Sequence, residues 1–126
     1  MYTLTIEREF AAAHALREYD GKCSRVHGHN YRVEVSVSGE LDGSGMVLDF
    51  SLFKRVCGEV LDELDHRMLN ETPPFDQQNP TCELICKHIY GRLAEQLRPS
   101  GVRVRRVRVW ETPTSSATYE PTPEGP

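Results

Sequence analysis

Two stretches near the N-terminus alternate apolar and polar residues, which is the pattern of a β-strand with one buried face. In the stretch from 2 to 14, the apolar row consists of Tyr2, Leu4, Ile6, Phe10, Ala12 and His14. In the stretch from 27 to 37, it consists of His27, His29, Tyr31, Val33, Val35 and Val37. Because side chains alternate between the two faces of a strand, the pattern places three imidazoles on the same faces as the apolar side chains.

Apolar residues spaced three or four apart predict two amphipathic helices in the middle of the chain. The first is predicted to begin at a cap formed by Asp49 or Ser51 and to run to about His66. The second is predicted to begin with Pro80 in its first position and Asn79 as its cap, because the first helical residue needs no N–H donor.

The remaining strands are shorter or less regular. A turn at Asp42-Gly43 predicts a hairpin into a short strand over 46–48. A strand is also predicted from Val102 to Glu111, and its valines change faces near Arg105 or Arg106, which indicates a β-bulge. Residues 117–119 are predicted to form a last short strand.

The order of these elements predicts an α+β fold, in which an antiparallel four-stranded sheet carries two helices on one face. The chain of 126 residues is predicted to form one domain over residues 1–119, followed by a flexible, proline-rich tail over 120–126. A sheet with one helix-free face leaves strand edges uncovered, and closure by oligomerisation would cover them.

Charge and hydropathy narrow the range of partners. The formal net charge of −4 argues against nucleic acid. No apolar run approaches the length of a membrane span, and the N-terminus lacks the pattern of a signal peptide, so we expect a cytoplasmic protein. In that compartment the four cysteines are expected to be thiols rather than disulfides.

His14, His27 and His29 carry the strongest chemical signal in the chain. Three converging imidazoles are the ligand set of a catalytic zinc ion, whose fourth position stays open for water or substrate. Ligation by nitrogen alone favours zinc over softer or harder metals. A hydrogen-bonded polar patch is the alternative that needs no metal.

Cys23 lies four residues before His27, in a polar loop between Lys22 and Arg25. Neighbouring cations are typical of a reactive thiol, which would act as a base or a nucleophile beside the metal. The same thiol would close the zinc site if it were a fourth ligand. The spacing alone does not decide between these two hypotheses.

Three acidic positions complete the candidate chemistry. Asp65 next to His66 would form a carboxylate–imidazole pair for proton transfer if the helix ends there, although an exposed pair at a helix C-terminus is the simpler interpretation. Glu111 continues a buried row of valines and could accept two N–H groups of a planar heterocycle, or it could lie at a strand end in solvent. Glu83 is explained equally well by the helix dipole.

These residues lie in six segments that resemble the 6-pyruvoyl-tetrahydropterin synthase family, whose bacterial members are also called 6-carboxy-tetrahydropterin synthases. The matching segments are 10–14 (FAAAH), 23–31 (CSRVHGHNY), 48–50 (LDF), 64–66 (LDH), 79–83 (NPTCE) and 110–112 (WET). They follow in order across nearly the whole chain, so the resemblance is specific to this family.

The resemblance implies a role for each candidate residue. The implied roles are zinc ligation by His14, His27 and His29, base catalysis by Cys23, proton transfer by Asp65 and His66, and pterin binding by Glu111, Thr81, Cys82 and Glu83. Cys82 departs from the serine or threonine often found there and offers only a weak hydrogen bond. Arg25, together with Lys22, is the nearest candidate to bind a triphosphate.

The resemblance also implies an assembly and a reaction. In the tunnelling fold of this family, trimers close a β-barrel and two trimers stack, so that active sites lie between subunits and zinc and pterin anchor can come from different chains. The substrate would be 7,8-dihydroneopterin triphosphate. The compact length and the short Cys-x-x-x-His-Gly-His spacing resemble the queuosine-pathway lyase, which releases triphosphate and acetaldehyde and leaves 6-carboxy-5,6,7,8-tetrahydropterin. A 6-pyruvoyl-tetrahydropterin synthase and a non-enzymatic zinc module are the alternatives.

Overall fold

The computed structural model describes residues 1–122, so residues 123–126 of the predicted tail lie outside the described part. The elements, in chain order, are β1 (Tyr2–His14), β2 (His27–Gly39), α1 (Phe50–Asp62), β3 (Arg67–Met68), α2 (Cys82–Leu97), β4 (Arg103–Thr112) and β5 (Ser115–Tyr119). Neither α-helix, within these residues, is long and apolar enough to cross a membrane.

The sheet has five strands in the order β3-β1-β2-β4-β5, and it is mixed rather than purely antiparallel. The pairs β1–β2, β2–β4 and β4–β5 are antiparallel. Strand β3 instead pairs parallel with Ala12 and Ala13 of β1. The prediction of a four-stranded antiparallel sheet was therefore wrong in strand count and in one strand direction. A strand of two residues is too short to show an alternation of apolar and polar positions, which is why the sequence pattern missed it.

The predicted strand over 46–48 is also absent from the structure. Asp42 instead holds this segment in a compact turn, because its Oδ1 accepts hydrogen bonds from the N–H groups of Ser44 (2.8 Å) and Met46 (3.1 Å). These local bonds satisfy backbone donors that a hairpin would have used in pairing.

Both helices pack against the sheet face that carries the apolar rows, and they enclose the core with it. Helix α1 contacts β1, and α2 contacts β4 and β5. The fully buried side chains include Tyr31, Val33, Phe53, Ile85, Ile89, Leu93, Val107 and Val109. The predicted α+β class and the two helices are confirmed.

The helix ends differ from the prediction. Helix α1 ends at Asp62 rather than near His66, which has a left-handed backbone with φ of 57° that cannot continue a helix. Helix α2 begins at Cys82 with Thr81 as its cap, whose hydroxyl accepts a hydrogen bond from Leu84 N–H (3.2 Å). The predicted cap, Asn79, instead accepts a hydrogen bond from the N–H of Arg17 (2.9 Å).

The predicted bulge in β4 is confirmed. Ser36 of β2 pairs with Arg106 and Val37 pairs with Val104, so Arg105 has no partner in β2. The extra residue lets Val104 and Val107 both face the core although they lie three apart.

Of the two predicted caps, Asp49 is the one that caps α1, and its replacement gives a simple test of the fold. Its Oδ1 accepts hydrogen bonds from the N–H groups of Ser51 (2.7 Å) and Leu52 (3.3 Å). Asp49→Ala is expected to lower the free energy of unfolding by about 1 kcal/mol, measured by urea denaturation. Glu59→Ala, which removes an exposed carboxylate later in the same helix, is the control, and equal losses in the two variants would contradict the capping role.

Candidate functional site

The three candidate histidines meet at one end of the sheet, because the pairing of β1 with β2 aligns them. His14 lies opposite His27, and His29 lies opposite Ala12. The Nε2 atoms of His14 and His27 are 3.0 Å apart. Glu111, near the end of β4, joins them, and the four ligand atoms all lie within 4.8 Å of one another.

Backbone carbonyl groups orient two of these rings. Nδ1 of His14 donates to the carbonyl of Pro80 (2.8 Å), and Nδ1 of His27 donates to the carbonyl of Arg25 (2.7 Å). Since Nδ1 is the donor in each ring, Nε2 is the atom that can offer a lone pair to a metal ion. Two lone pairs at 3.0 Å repel unless a cation lies between them, so this donor set fits a metal ion.

Burial keeps two of the imidazoles in the form that binds metal. It lowers the pKa of His14 and of His29, because desolvation disfavours the charged ring. Both rings are therefore neutral donors at neutral pH, as metal ligation requires. The group could hold a metal ion, and nitrogen and carboxylate oxygen are both ligands that zinc accepts.

Glu111 reaches the histidines from an irregular point in β4. Trp110 pairs with Ser116 of β5 and Thr112 pairs with Ser115, so Glu111 between them has no partner there. A bulge of this kind redirects a side chain. The sequence left open whether Glu111 continues the buried row or lies in solvent at the strand end, and it did not predict that the carboxylate lies beside the histidines.

Cys23 lies in a single 3-10 turn, Lys22–Ser24, and is half-buried with a free thiol. Its carbonyl accepts a hydrogen bond from Leu16 N–H (2.7 Å), which ties this loop to the segment that follows β1. Among the described residues, Cys23 is not part of the group of four candidate ligands, in which Glu111 is the fourth. Arg25 is exposed nearby, and its carbonyl is the one that holds His27.

Asp65 and His66 form a carboxylate–imidazole pair beyond the end of α1. Asp65 Oδ1 is 2.9 Å from Nδ1 of His66, and it also accepts a hydrogen bond from Ala11 N–H (2.9 Å). These contacts, with the Ala11 N–H contributing most, hold the pKa of Asp65 below its usual value. The side chain of His66 is 82% exposed, and it lines an open groove of about 510 Å³ with Asn30 and Arg67.

Glu111, which belongs to the group of four ligands, also borders a second pocket. The pocket has a volume of about 360 Å³ and is lined by Cys82, Glu83, Glu111, Ser115, Ser116 and Ala117. Burial raises the pKa of Cys82 to about 11, so it is a neutral thiol at pH 7. Thr81, the cap of α2, directly precedes Cys82 but is not among the residues that line the pocket. The two serines of β5 had no signal in the sequence.

Comparison with known proteins identifies the family. A sequence model of the family described as 6-pyruvoyl tetrahydropterin synthase matches residues 3–122. The chain belongs to the 6-pyruvoyl tetrahydropterin synthase family. The predicted family is thereby confirmed, and the tetrahydropterin synthases are enzymes.

Relatives of known name agree with this assignment. The 6-carboxy-5,6,7,8-tetrahydropterin synthase of Bacillus subtilis is 39% identical over 131 residues, which cover 95% of this chain and 86% of the relative. A dihydroneopterin monophosphate aldolase of Pyrococcus furiosus is 39% identical over 102 residues, which cover 81% of this chain and 82% of the relative. Proteins with different named activities are therefore similar to this chain.

A solved structure of the tetrahydropterin synthase family has the same fold. The 6-pyruvoyl tetrahydropterin synthase of Caenorhabditis elegans superposes with a TM-score of 0.83 at 31% identity, and the match covers 97% of this chain and 98% of that chain. The five-stranded mixed sheet with two helices is thus the tunnelling fold of this family.

Proposed function

We propose that this protein is a 6-carboxy-5,6,7,8-tetrahydropterin synthase. It would convert 7,8-dihydroneopterin triphosphate to the carboxy product and release acetaldehyde and triphosphate, as a cytoplasmic lyase of queuosine biosynthesis. The observation that carries the proposal is the convergence of His14, His27 and His29 beside Glu111, in a chain similar along 95% of its length to an enzyme of that name.

The metal in this proposal is zinc, held by the three histidines. Zinc would supply Lewis acidity to the side-chain hydroxyls of the substrate and so make the adjacent C–H easier to deprotonate. The carbonyl groups of Pro80 and Arg25 fix the rings of His14 and His27, so that both Nε2 atoms face the same point.

Proton transfer in this proposal falls to side chains outside the ligand group. Cys23 would remove the proton from the substrate side chain as a thiolate, since the thiolate is the reactive form. Asp65 would hold His66 in one tautomer through the 2.9 Å contact with Nδ1, which leaves Nε2 to accept or donate a proton. Arg25 is the candidate to contact the triphosphate.

Glu111, Thr81, Cys82 and Glu83 would bind the pterin ring. The carboxylate of Glu111 borders the pocket of about 360 Å³ and can accept two adjacent N–H groups of an aminopyrimidinone. Cys82 donates its thiol to the carbonyl of Val109 (3.4 Å), so it lines the pocket as a neutral group. A flat, partly apolar ring with one acidic partner suits such a pocket.

The product analysis is the decisive test. The protein is incubated with 7,8-dihydroneopterin triphosphate, and the products are identified by mass spectrometry. Acetaldehyde together with the carboxy product supports the proposal. A product that keeps its three-carbon side chain would instead support a 6-pyruvoyl-tetrahydropterin synthase, which the likeness to the C. elegans structure favours as the second candidate. Turnover of 7,8-dihydroneopterin monophosphate but not of the triphosphate in a parallel incubation, or no pterin turnover at all, would contradict both.

We further propose a homo-oligomer, a dimer of trimers, with active sites between subunits. His66 is 82% exposed and lies outside the group of four ligands, and β5 forms an open edge of the sheet. A second copy packed against this chain would bring the Asp65–His66 pair to a Cys23 of another subunit. Uncovered strand edges favour such packing.

Mixing two inactive variants tests this arrangement. Cys23→Ala and His66→Ala are each expected to be inactive, but a mixture that is dissociated and reassembled should regain activity. The reason is that some interfaces then combine an intact Cys23 from one chain with an intact His66 from another. Native mass spectrometry, which resolves the different masses of the two variants, establishes that mixed oligomers have formed, and mixed oligomers without activity would contradict shared sites.

A further inference from the structure

Glu111 lies where a fourth metal ligand would lie. Its Oε1 is 3.2 Å from Nε2 of His29. Although this contact is short, Nε2 of His29 is buried and has no hydrogen-bond partner among residues 1–122. A buried nitrogen so close to a carboxylate oxygen, with no hydrogen bond between them, is left unsatisfied unless a cation binds both atoms.

The backbone supports the same interpretation. Glu111 is the unpaired residue of a β-bulge, flanked by the pairs Trp110–Ser116 and Thr112–Ser115, so local irregularity directs its side chain to the histidines. Its side chain is only 26% exposed, although it is a glutamate near a strand end. A half-buried carboxylate needs a positive or hydrogen-bonding partner, and a metal held by three imidazoles would provide one.

Glu111 therefore borders two places at once. It belongs to the group of four ligand atoms within 4.8 Å, and it also lines the pocket of about 360 Å³ with Cys82 and Glu83. Rotation about its side-chain bonds would move the carboxylate from the ligand group to the pocket, whereas backbone carbonyls hold the rings of His14 and His27 in place.

We propose that Glu111 is a displaceable fourth ligand, which closes a three-histidine, one-carboxylate metal site in the ligand-free protein. On binding, the pterin ring draws the carboxylate into the adjoining pocket and so opens the fourth coordination position. This inference rests on the proposed function, because that function supplies the pterin. It adds that Glu111 occupies the fourth coordination position of the metal until the pterin ring has bound.

Metal affinity in the absence of pterin tests whether Glu111 is a metal ligand. The full chain is stripped of metal and titrated with Zn²⁺ against a chromophoric chelator. Glu111→Gln keeps the shape of the side chain and is expected to weaken Zn²⁺ binding by at least ~10-fold, since even partners that only orient metal ligands contribute ~10–100-fold. Glu83→Gln is the matched control, because it removes a carboxylate from the same pocket but not from the ligand group.

The visible spectrum of the Co²⁺-loaded protein tests whether the pterin displaces Glu111 from the metal. Addition of neopterin, a stable oxidised pterin, should change the ligand-field bands of the native protein. Glu111→Gln should have an altered spectrum before any pterin is added. Glu111→Asp, which keeps the charge but shortens its reach, should resemble Glu111→Gln in spectrum.

The outcomes separate this inference from the proposed function. Unchanged Zn²⁺ affinity and an unchanged Co²⁺ spectrum in Glu111→Gln would overturn the assignment of Glu111 as the fourth ligand, even if the native protein turns over its substrate normally. Weakened Zn²⁺ binding in Glu111→Gln, with no turnover by the native protein, would support Glu111 as the fourth ligand but overturn the proposed function. An equal loss of affinity in Glu83→Gln would also overturn the inference, because it would reflect pocket charge alone.

Discussion

Cys23→Ala is expected to lower kcat/KM by ~10²–10⁴-fold, the usual contribution of a positioned base, while the bound metal is retained. The physical reason is that the candidate ligands are three imidazoles and one carboxylate, and Cys23 is not among them. Metal content and steady-state turnover of dihydroneopterin triphosphate are measured on the same preparation, so that loss of activity and loss of metal are scored separately.

Two controls separate the chemistry of Cys23 from disturbance of its loop. Ser24→Ala removes a side-chain hydrogen bond to the carbonyl of Gly21 (2.7 Å) in the same turn but leaves the thiol, and it should reduce turnover only slightly. Cys23→Ser keeps the shape of the side chain but replaces the thiol by a far weaker acid, so it should behave like Cys23→Ala.

Each rival hypothesis predicts a different result for Cys23→Ala. In a structural module with cysteine as fourth ligand, the metal content would fall sharply. In a zinc hydrolase that uses metal-bound water as its nucleophile, much of the activity would remain. Either result would contradict a base that acts beside the metal without binding it.

The sequence predicted those parts of the fold in which burial alternates over many residues. Strands β1 and β2 and the bulge at Arg105 follow from rows of apolar side chains that must face the helices. Strand β3 and the ends of α1 and α2 depend on a few local contacts instead. The left-handed backbone of His66 keeps α1 from extending through that residue, and the hydroxyl of Thr81 caps α2, but neither feature changes the apolar pattern.

The candidate site, like the fold, was predictable only where it follows the apolar pattern. The histidines could be found because they continue apolar rows, and pairing of two adjacent strands then brings them together. The approach of Glu111 to His29 could not be predicted, since it depends on a bulge that leaves Glu111 unpaired. The carbonyl groups of Pro80 and Arg25 orient the rings, and backbone atoms carry no residue-specific signal.

His14→Ala is expected to have the largest effect on metal content. His14 is fully buried, its Nδ1 is held by the carbonyl of Pro80, and its Nε2 faces that of His27. Its loss removes a ligand and also leaves the Pro80 carbonyl without that hydrogen bond. Zn²⁺ affinity should fall by more than the ~100-fold that partners of metal ligands reach, and turnover should fall to background.

The control for His14→Ala is another histidine whose pKa is lowered by burial, His88 of α2. Its ring packs edge-on against Phe75 at 5.4 Å between centroids, and it is not in the ligand group, so His88→Ala should lower thermal stability but keep metal and activity. If both variants lost metal equally, general destabilisation would explain the result. If His14→Ala bound Zn²⁺ as tightly as the native protein, His14 would not be a metal ligand, and the three-histidine site would be contradicted.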